Sequence, residues 1–176
     1  MTSIDSPVPI LGFAAFSGTG KTTLLTAVIP ILKQHRFQVA VVKHAHHQFD
    51  IDQPGKDSYR LRKAGANQML IASRKRWALM VENDDYSEPS LQALINRLDL
   101  AAIDIILVEG FKAEIIPKIE LHRNTISRDL LYQTDKNIIA VASDIGLELP
   151  KHITPLDINN AQQVAEFIIT NIINKN

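Results

Sequence analysis

Between Ala15 and Thr22 the chain reads Ala-Phe-Ser-Gly-Thr-Gly-Lys-Thr, a set of residues suited to holding a polyanion. Gly18 and Gly20 allow the backbone to turn so that successive N–H groups converge on phosphate oxygens. Lys21 supplies a cation for the β- and γ-phosphates of a nucleoside triphosphate, and Thr22 a hydroxyl for Mg²⁺. A helix beginning at this point would direct the positive end of its dipole at the same anion. The usual pattern is Gly-x-x-x-x-Gly-Lys-Ser/Thr. Ala15 stands at its first position, which is tolerable provided that residue does not need a positive φ. The phosphate-binding set is then Ser17, Gly18, Thr19, Gly20, Lys21, Thr22 and Thr23.

A loop of this kind works with a carboxylate at the end of a neighbouring strand. Ile105-Ile106-Leu107-Val108-Glu109-Gly110 fits: four apolar residues bury a strand, Glu109 emerges at its C-terminal end, where it could hold Mg²⁺ or its water or merely cap the strand and face solvent, and Gly110 permits close approach. A second group follows the next strand candidate, where Lys43 to Asp52 contains His44, His46, His47, Asp50 and Asp52. These side chains could ligate a metal or meet a γ-phosphate, although loop histidines are more often surface residues making ordinary hydrogen bonds. Asp50 or Asp52 could act near Mg²⁺ or the attacking water. The catalytic candidates are therefore Lys21, Asp50 and Glu109. The cations from Lys56 to Lys63 read first as a solvated helix face.

These residues need a scaffold, and the apolar pattern supplies one. Ile10 to Phe16 is a short continuous apolar run, as in a buried parallel strand. Lys21 to His35 reads as a helix with Leu24, Leu25, Val28, Ile29 and Leu32 on one face and a kink expected at Pro30. Further strands are expected at Gln38 to Val42, Ile103 to Val108, Lys118 to His122 and Ile138 to Ala142. Helices are expected at Lys56 to Ala64, at Ser90 to Leu98 with Ser90 as the cap, and at Ala161 to Ile173. Gln68 to Ala72 and Trp77 to Glu82 flank a basic turn and suggest a β-hairpin. Strands alternating with helices give an α/β fold, P-loop NTPase-like, with a mainly parallel sheet flanked by helices. A chain of 176 residues without repeats or linkers is expected to form a single domain spanning residues 1–176.

Composition narrows the function classes. Lys plus Arg and Asp plus Glu are both 19, so no basic excess points to nucleic acid. Cysteine is absent, which removes disulfides, thiolate metal ligation and a thiol nucleophile, and fits a cytoplasmic protein. The start of the chain lacks a basic signal-peptide n-region, and no apolar stretch nears the roughly 18 residues that span a bilayer. No membrane association is expected.

Several segments taken in order narrow the reading further. They are Phe13 to Leu25, Lys43-His44 with His46-His47 and Asp50-Ile51-Asp52, Pro54 to Ser58, Ala64 to Ala66, Arg76 to Met80, Leu107 to Lys112 and Ala140 to Asp144. Together they resemble the MobB family of molybdopterin-guanine dinucleotide biosynthesis proteins over most of the chain. The resemblance implies a GTP-binding adaptor with weak Mg²⁺-dependent GTPase activity and a homodimeric state. It also implies work beside MobA in molybdenum-cofactor maturation, with molybdopterin or its guanine dinucleotide as a further ligand. It carries phosphate binding onto Gly18 to Thr23, places Thr22 and Glu109 near Mg²⁺, and has Pro54 to Ser58 and Glu109 to Lys112 line the nucleotide or cofactor cleft.

The Asn-Lys-x-Asp sequence that reads guanine in many GTP-binding proteins is absent. Asp144, just after a strand, is the candidate for that role, with a plain turn or cap aspartate as the alternative. Neither a water-positioning Gln nor an arginine finger can be assigned, which fits slow turnover. The apolar alternation of Trp77, Leu79 and Val81 suggests a strand that joins a partner's sheet. A different class of function, a small-metabolite kinase, would use Arg60, Arg62, Arg74 and Arg76 to close over a phosphate.

Overall fold

The computed structural model describes residues 4–45, 50–83, 88–126 and 129–175. Its elements in chain order are β1 (Ile10–Ala15), α1 (Lys21–Gln34), β2 (Val39–Lys43), α2 (Asp57–Lys63), β3 (Gln68–Ala72) and β4 (Trp77–Val81). Then come α3 (Leu91–Ile95), β5 (Ile105–Glu109), β6 (Lys118–His122), β7 (Ile138–Ser143), β8 (Thr154–Asp157) and α4 (Ala161–Ile168). They form two compact units, one of residues up to His44 and from Ser90 onward, the other of Ala45–Pro89.

The larger unit is built on a six-stranded sheet in the order β2-β5-β1-β6-β7-β8, with every pairing parallel. Both faces are covered, which explains why the strands read as unbroken apolar runs. Leu11, Phe13, Ala15, Ile105 and Leu107 point to the face packed by Leu24, Leu25, Val28 and Leu32 of α1 and Val164, Ala165 and Ile168 of α4. The alternate residues Ile10, Ile106 and Val108 point to the other face, where Leu91 and Ile95 of α3 cover them. Farther along that face Val141 and Ile138 pack with Ile153. The strand order reverses at β1: the chain first builds outward through β2 and β5, then crosses to β6, β7 and β8. Such a switch point opens a crevice at the C-terminal ends of the strands, and the residues after β1 sit in it.

Most boundaries fall within two residues of those read from the sequence. Ser90 caps α3, its Oγ accepting from the Ala93 N–H at 3.1 Å. α1 continues through Pro30 as one element, held by four buried side chains. α4 passes into a π-helical turn at Ile169–Ile173, so the expected final helix exists but changes its hydrogen-bond pattern. β8 is a strand that sequence reading overlooks. It is four residues long, carries Pro155 and lies at the sheet's edge, where a missing N–H is tolerated.

The smaller unit contains α2 and the antiparallel hairpin β3–β4, with Ser73 to Arg76 as its turn. Leu70 lies opposite Leu79, with Ala72–Trp77 and Gln68–Val81 as flanking pairs on the same face. Trp77 and Leu70 are 66% and 62% exposed on this face, and Leu79 and Val81 are exposed as well.

Candidate functional site: a phosphate loop at the switch point

Ala15 ends β1 in extended conformation and is buried in the core, so the departure from glycine at that position costs no backbone strain. The turns are made by the two glycines after it, Gly18 at φ 82° and Gly20 at φ 96°. Both values lie in the left-handed region where a Cβ is disfavoured. Between them Thr19 is buried, its Oγ1 donating to the Phe16 carbonyl at 2.8 Å and its N–H reaching the same oxygen at 3.4 Å. The loop thus folds back on its own strand. Gly20 is the residue before α1, and no side chain caps that helix start. An anion can take the place of a capping carboxylate there.

Lys21 opens α1, and its Nζ lies 3.7 Å from Glu109 Oε1. Lys43, at the end of β2, holds the other oxygen of Glu109 at 3.7 Å. Parallel pairing of β1 and β2 to β5 sets this arrangement, since Lys43 is in register with Glu109. The Glu109 side chain is only 14% exposed. Two ammonium groups for one carboxylate leave a local positive excess beside the loop, suited to a polyanion. After Glu109 the chain turns at Gly110, φ 99°, where an added Cβ would stand 2.8 Å from His44 Cβ. That close approach lets the His44 N–H donate to the Glu109 carbonyl at 2.9 Å and the His44 ring tilt against Phe111. Lys112 Nζ lies 5.6 Å from the centre of the Phe16 ring, adding a third cation near the loop.

The remaining sequence candidates separate. Asp144 follows β7, where its Oδ1 accepts the Asn124 N–H at 2.9 Å and its Oδ2 lies 3.7 Å from Arg123 Nη1. Asp50 belongs to the smaller unit. The Asp52 N–H and the Arg62 guanidinium donate to its carboxylate and hold it below the ordinary carboxylate range. Arg62 also bonds Glu82 and pairs with Asp52 at 3.5 Å, and its hydrogen bonds to Glu82 and Asp50 push its own pKa up. Arg62 is therefore occupied by three carboxylates, and Arg60 pairs with Asp57 at 3.9 Å. His46 and His47 lie outside the described residues. Among the described residues no group of three or more His, Cys, Asp or Glu could hold a metal. Thr22 and Glu109 offer hard oxygen donors, which suits Mg²⁺ bound mainly through phosphates rather than in a protein cage.

Sequence reading passed over Arg123. It lies just beyond the end of β6, next to β1, and its Nε donates to the Thr19 carbonyl at 3.0 Å. The available signal was its position: a cation at the C-terminal end of a strand beside the one that carries the loop.

Likenesses to known proteins bear on this site. Residues 10–144 match the family model of molybdopterin guanine dinucleotide synthesis protein B, MobB. The molybdopterin-guanine dinucleotide biosynthesis adapter protein of Escherichia coli K12 is 50% identical over 163 residues, 92% of each chain. The adapter protein of the same name from Haemophilus influenzae is 42% identical, over 94% of this chain and 90% of its own. A crystal structure of molybdopterin-guanine biosynthesis protein B superposes with a TM-score of 0.69 at 26% identity, covering 92% of this chain and 98% of that one.

Proposed function

The chain belongs to the molybdopterin guanine dinucleotide synthesis protein B (MobB) family, and from that premise we propose that it is a GTP-binding adaptor in molybdenum-cofactor biosynthesis. The observation that supports this most is the uncapped start of α1, with two left-handed glycines before it and Lys21 beside Glu109. Backbone amides from Gly18 to Thr23 would hold the triphosphate, Ser17 and Thr19 shaping the turn. Thr22 and Glu109 would hold Mg²⁺ or its water. The ion neutralises phosphate charge when bound, and the chain's own part is to orient the phosphates and keep Lys21 aimed at them. Asp144 is the candidate base reader and Asp50 a candidate near the γ-phosphate. Hydrolysis would be slow, since neither a water-positioning Gln nor an arginine finger is assignable.

In this reading residues 1–176 act as one functional domain, with 45–89 inserted between β2 and α3. The adaptor works in the cytoplasm beside MobA, on molybdopterin or its guanine dinucleotide, and as a homodimer. Calorimetric titration with GTP and ATP, with and without Mg²⁺, tests the nucleotide reading. GTP should bind more tightly than ATP, and Mg²⁺ should strengthen it. Glu109→Gln should remove about tenfold of the Mg²⁺-dependent gain, roughly 1.4 kcal/mol. Indistinguishable heats for the two nucleotides would defeat guanine preference, and an undiminished Mg²⁺ effect in the variant would remove Glu109 from the site.

The hairpin β3–β4 is the proposed dimer contact. A two-stranded sheet with an exposed apolar face and open edges is marginal alone and readily pairs with another strand. Replacing Trp77 and Leu79 together by Lys should give the mass of one chain, 19.6 kDa, by light scattering at micromolar concentration. A wild-type chain that already scatters as a monomer would refute the dimer.

A further inference from the structure

Arg123 joins three loops through one guanidinium. Its Nε donates to the Thr19 carbonyl at 3.0 Å, its Nη2 to Asn159 Oδ1 at 3.2 Å, and its Nη1 lies 3.7 Å from Asp144 Oδ2. Each partner is itself fixed. The Thr19 side chain is tied to Phe16, the Asn159 N–H donates to Asp157 Oδ1 at 2.8 Å, and Asp144 accepts from the Asn124 N–H. The guanidinium also packs against the phosphate loop: a Cβ at Gly20 would stand 3.6 Å from its Nε.

We propose that Arg123 is a positioning residue that locks the phosphate loop to the loops after β7 and β8, so that phosphate and nucleoside are held by one rigid surface. The inference rests on the nucleotide reading above. The Thr19–Gly20 peptide is planar and trans, so its C=O and N–H point in opposite directions. Holding the Thr19 carbonyl toward Arg123 therefore turns the Gly20 N–H away from it, and an amide so fixed needs no reordering when phosphate arrives. Lys43 and Glu109 place the charge-handling groups at the ends of β2 and β5, on one side of β1. A nucleoside attached to phosphates gathered there leaves the loop on the other side, over the ends of β6, β7 and β8. Arg123, Asp144 and Asn159 stand at those three ends. A planar fork with several donors suits this task, whereas a lysine offers a single point charge.

The test compares GTP with inorganic tripolyphosphate, both with Mg²⁺, by calorimetry on the wild-type chain, Arg123→Ala and Arg123→Lys, with thermal unfolding as the fold check. Arg123→Ala should weaken tripolyphosphate about threefold and GTP about thirtyfold. Arg123→Lys, which keeps the charge, should restore less than half of the lost GTP preference and carries the test if the alanine variant does not fold. Equal weakening of both ligands would reduce Arg123 to local loop support and overturn the proposal, as would unchanged binding in a folded variant. A wild-type chain that binds GTP no more tightly than tripolyphosphate would also overturn it. Binding of neither ligand to the wild type would instead bring down the nucleotide reading itself.

Discussion

Lys21→Ala should lower the affinity for GTP by roughly 2 kcal/mol or more, about thirtyfold, while the chain remains folded. On the proposed reading, removing the ammonium group would delete a charge-assisted phosphate contact. Among the described residues it would leave the Glu109 carboxylate paired with Lys43, beside the proposed phosphate site. A carboxylate stripped of one of its two cations repels the ligand, so the loss should exceed that of a single exposed contact. The chain should stay folded, because the Lys21 side chain is not part of the apolar core beneath the loop. Calorimetry on the two proteins measures the difference, and coincident titration curves would contradict the assignment of the loop.

The second large effect concerns stability and lies away from the loop. Lys118 is a charged residue with 2% exposure in β6, between β1 and β7. Its Nζ donates to the Glu114 carbonyl at 2.6 Å and to Asp135 Oδ2 at 2.8 Å. Asp135→Asn would leave that ammonium group without its counter-charge and can turn an amide donor toward it. The expected loss is about 2–3 kcal/mol, since a buried cation cannot recover its water. Lys118→Met should be milder, because it removes the buried charge and leaves Asp135, which is partly exposed, to solvent. Chemical denaturation distinguishes the two variants, and equal stabilities would show that the pair carries no such weight.

The acid side supplies a further check on that pair. Burial works to raise the Asp135 pKa, but hydrogen bonds from Lys118 and Asn137 outweigh it and hold the carboxyl below its ordinary 3.8. A carboxylate with a lowered folded-state pKa contributes stability above its unfolded value and loses it as pH falls through the folded one. The gap between wild type and Asp135→Asn should thus be full at neutral pH and narrow below about pH 4. Glu120 has the opposite sign: burial raises its pKa, and the Leu131 and Tyr132 N–H groups only partly offset this. Asp135 also contributes to raising the Glu120 pKa, so its replacement by Asn relaxes Glu120 toward its ordinary value as well.

Sequence alone determined the parts of this protein that depend on local chemistry. The spacing of Gly18, Gly20, Lys21 and Thr22 dictates a turn into a helix start, and the strict apolar runs around Leu11 and Leu107 dictate strands buried on both faces. The alternation in 68–82 likewise gave the hairpin. Glu109 was legible because a carboxylate directly follows a buried strand. Tertiary structure decided what pairs with what across the sheet. Only the order β2-β5-β1-β6-β7-β8 sets Lys43 beside Glu109 and brings Arg123, 104 residues along the chain, onto the Thr19 carbonyl. It also decided that Arg62 serves three carboxylates of its own unit, and that Lys118, the first residue of β6, is a buried ion. The reason is physical: glycine turns and apolar periodicity act over a few residues, whereas a guanidinium or carboxylate finds its partner only after strand order has fixed which ends are neighbours.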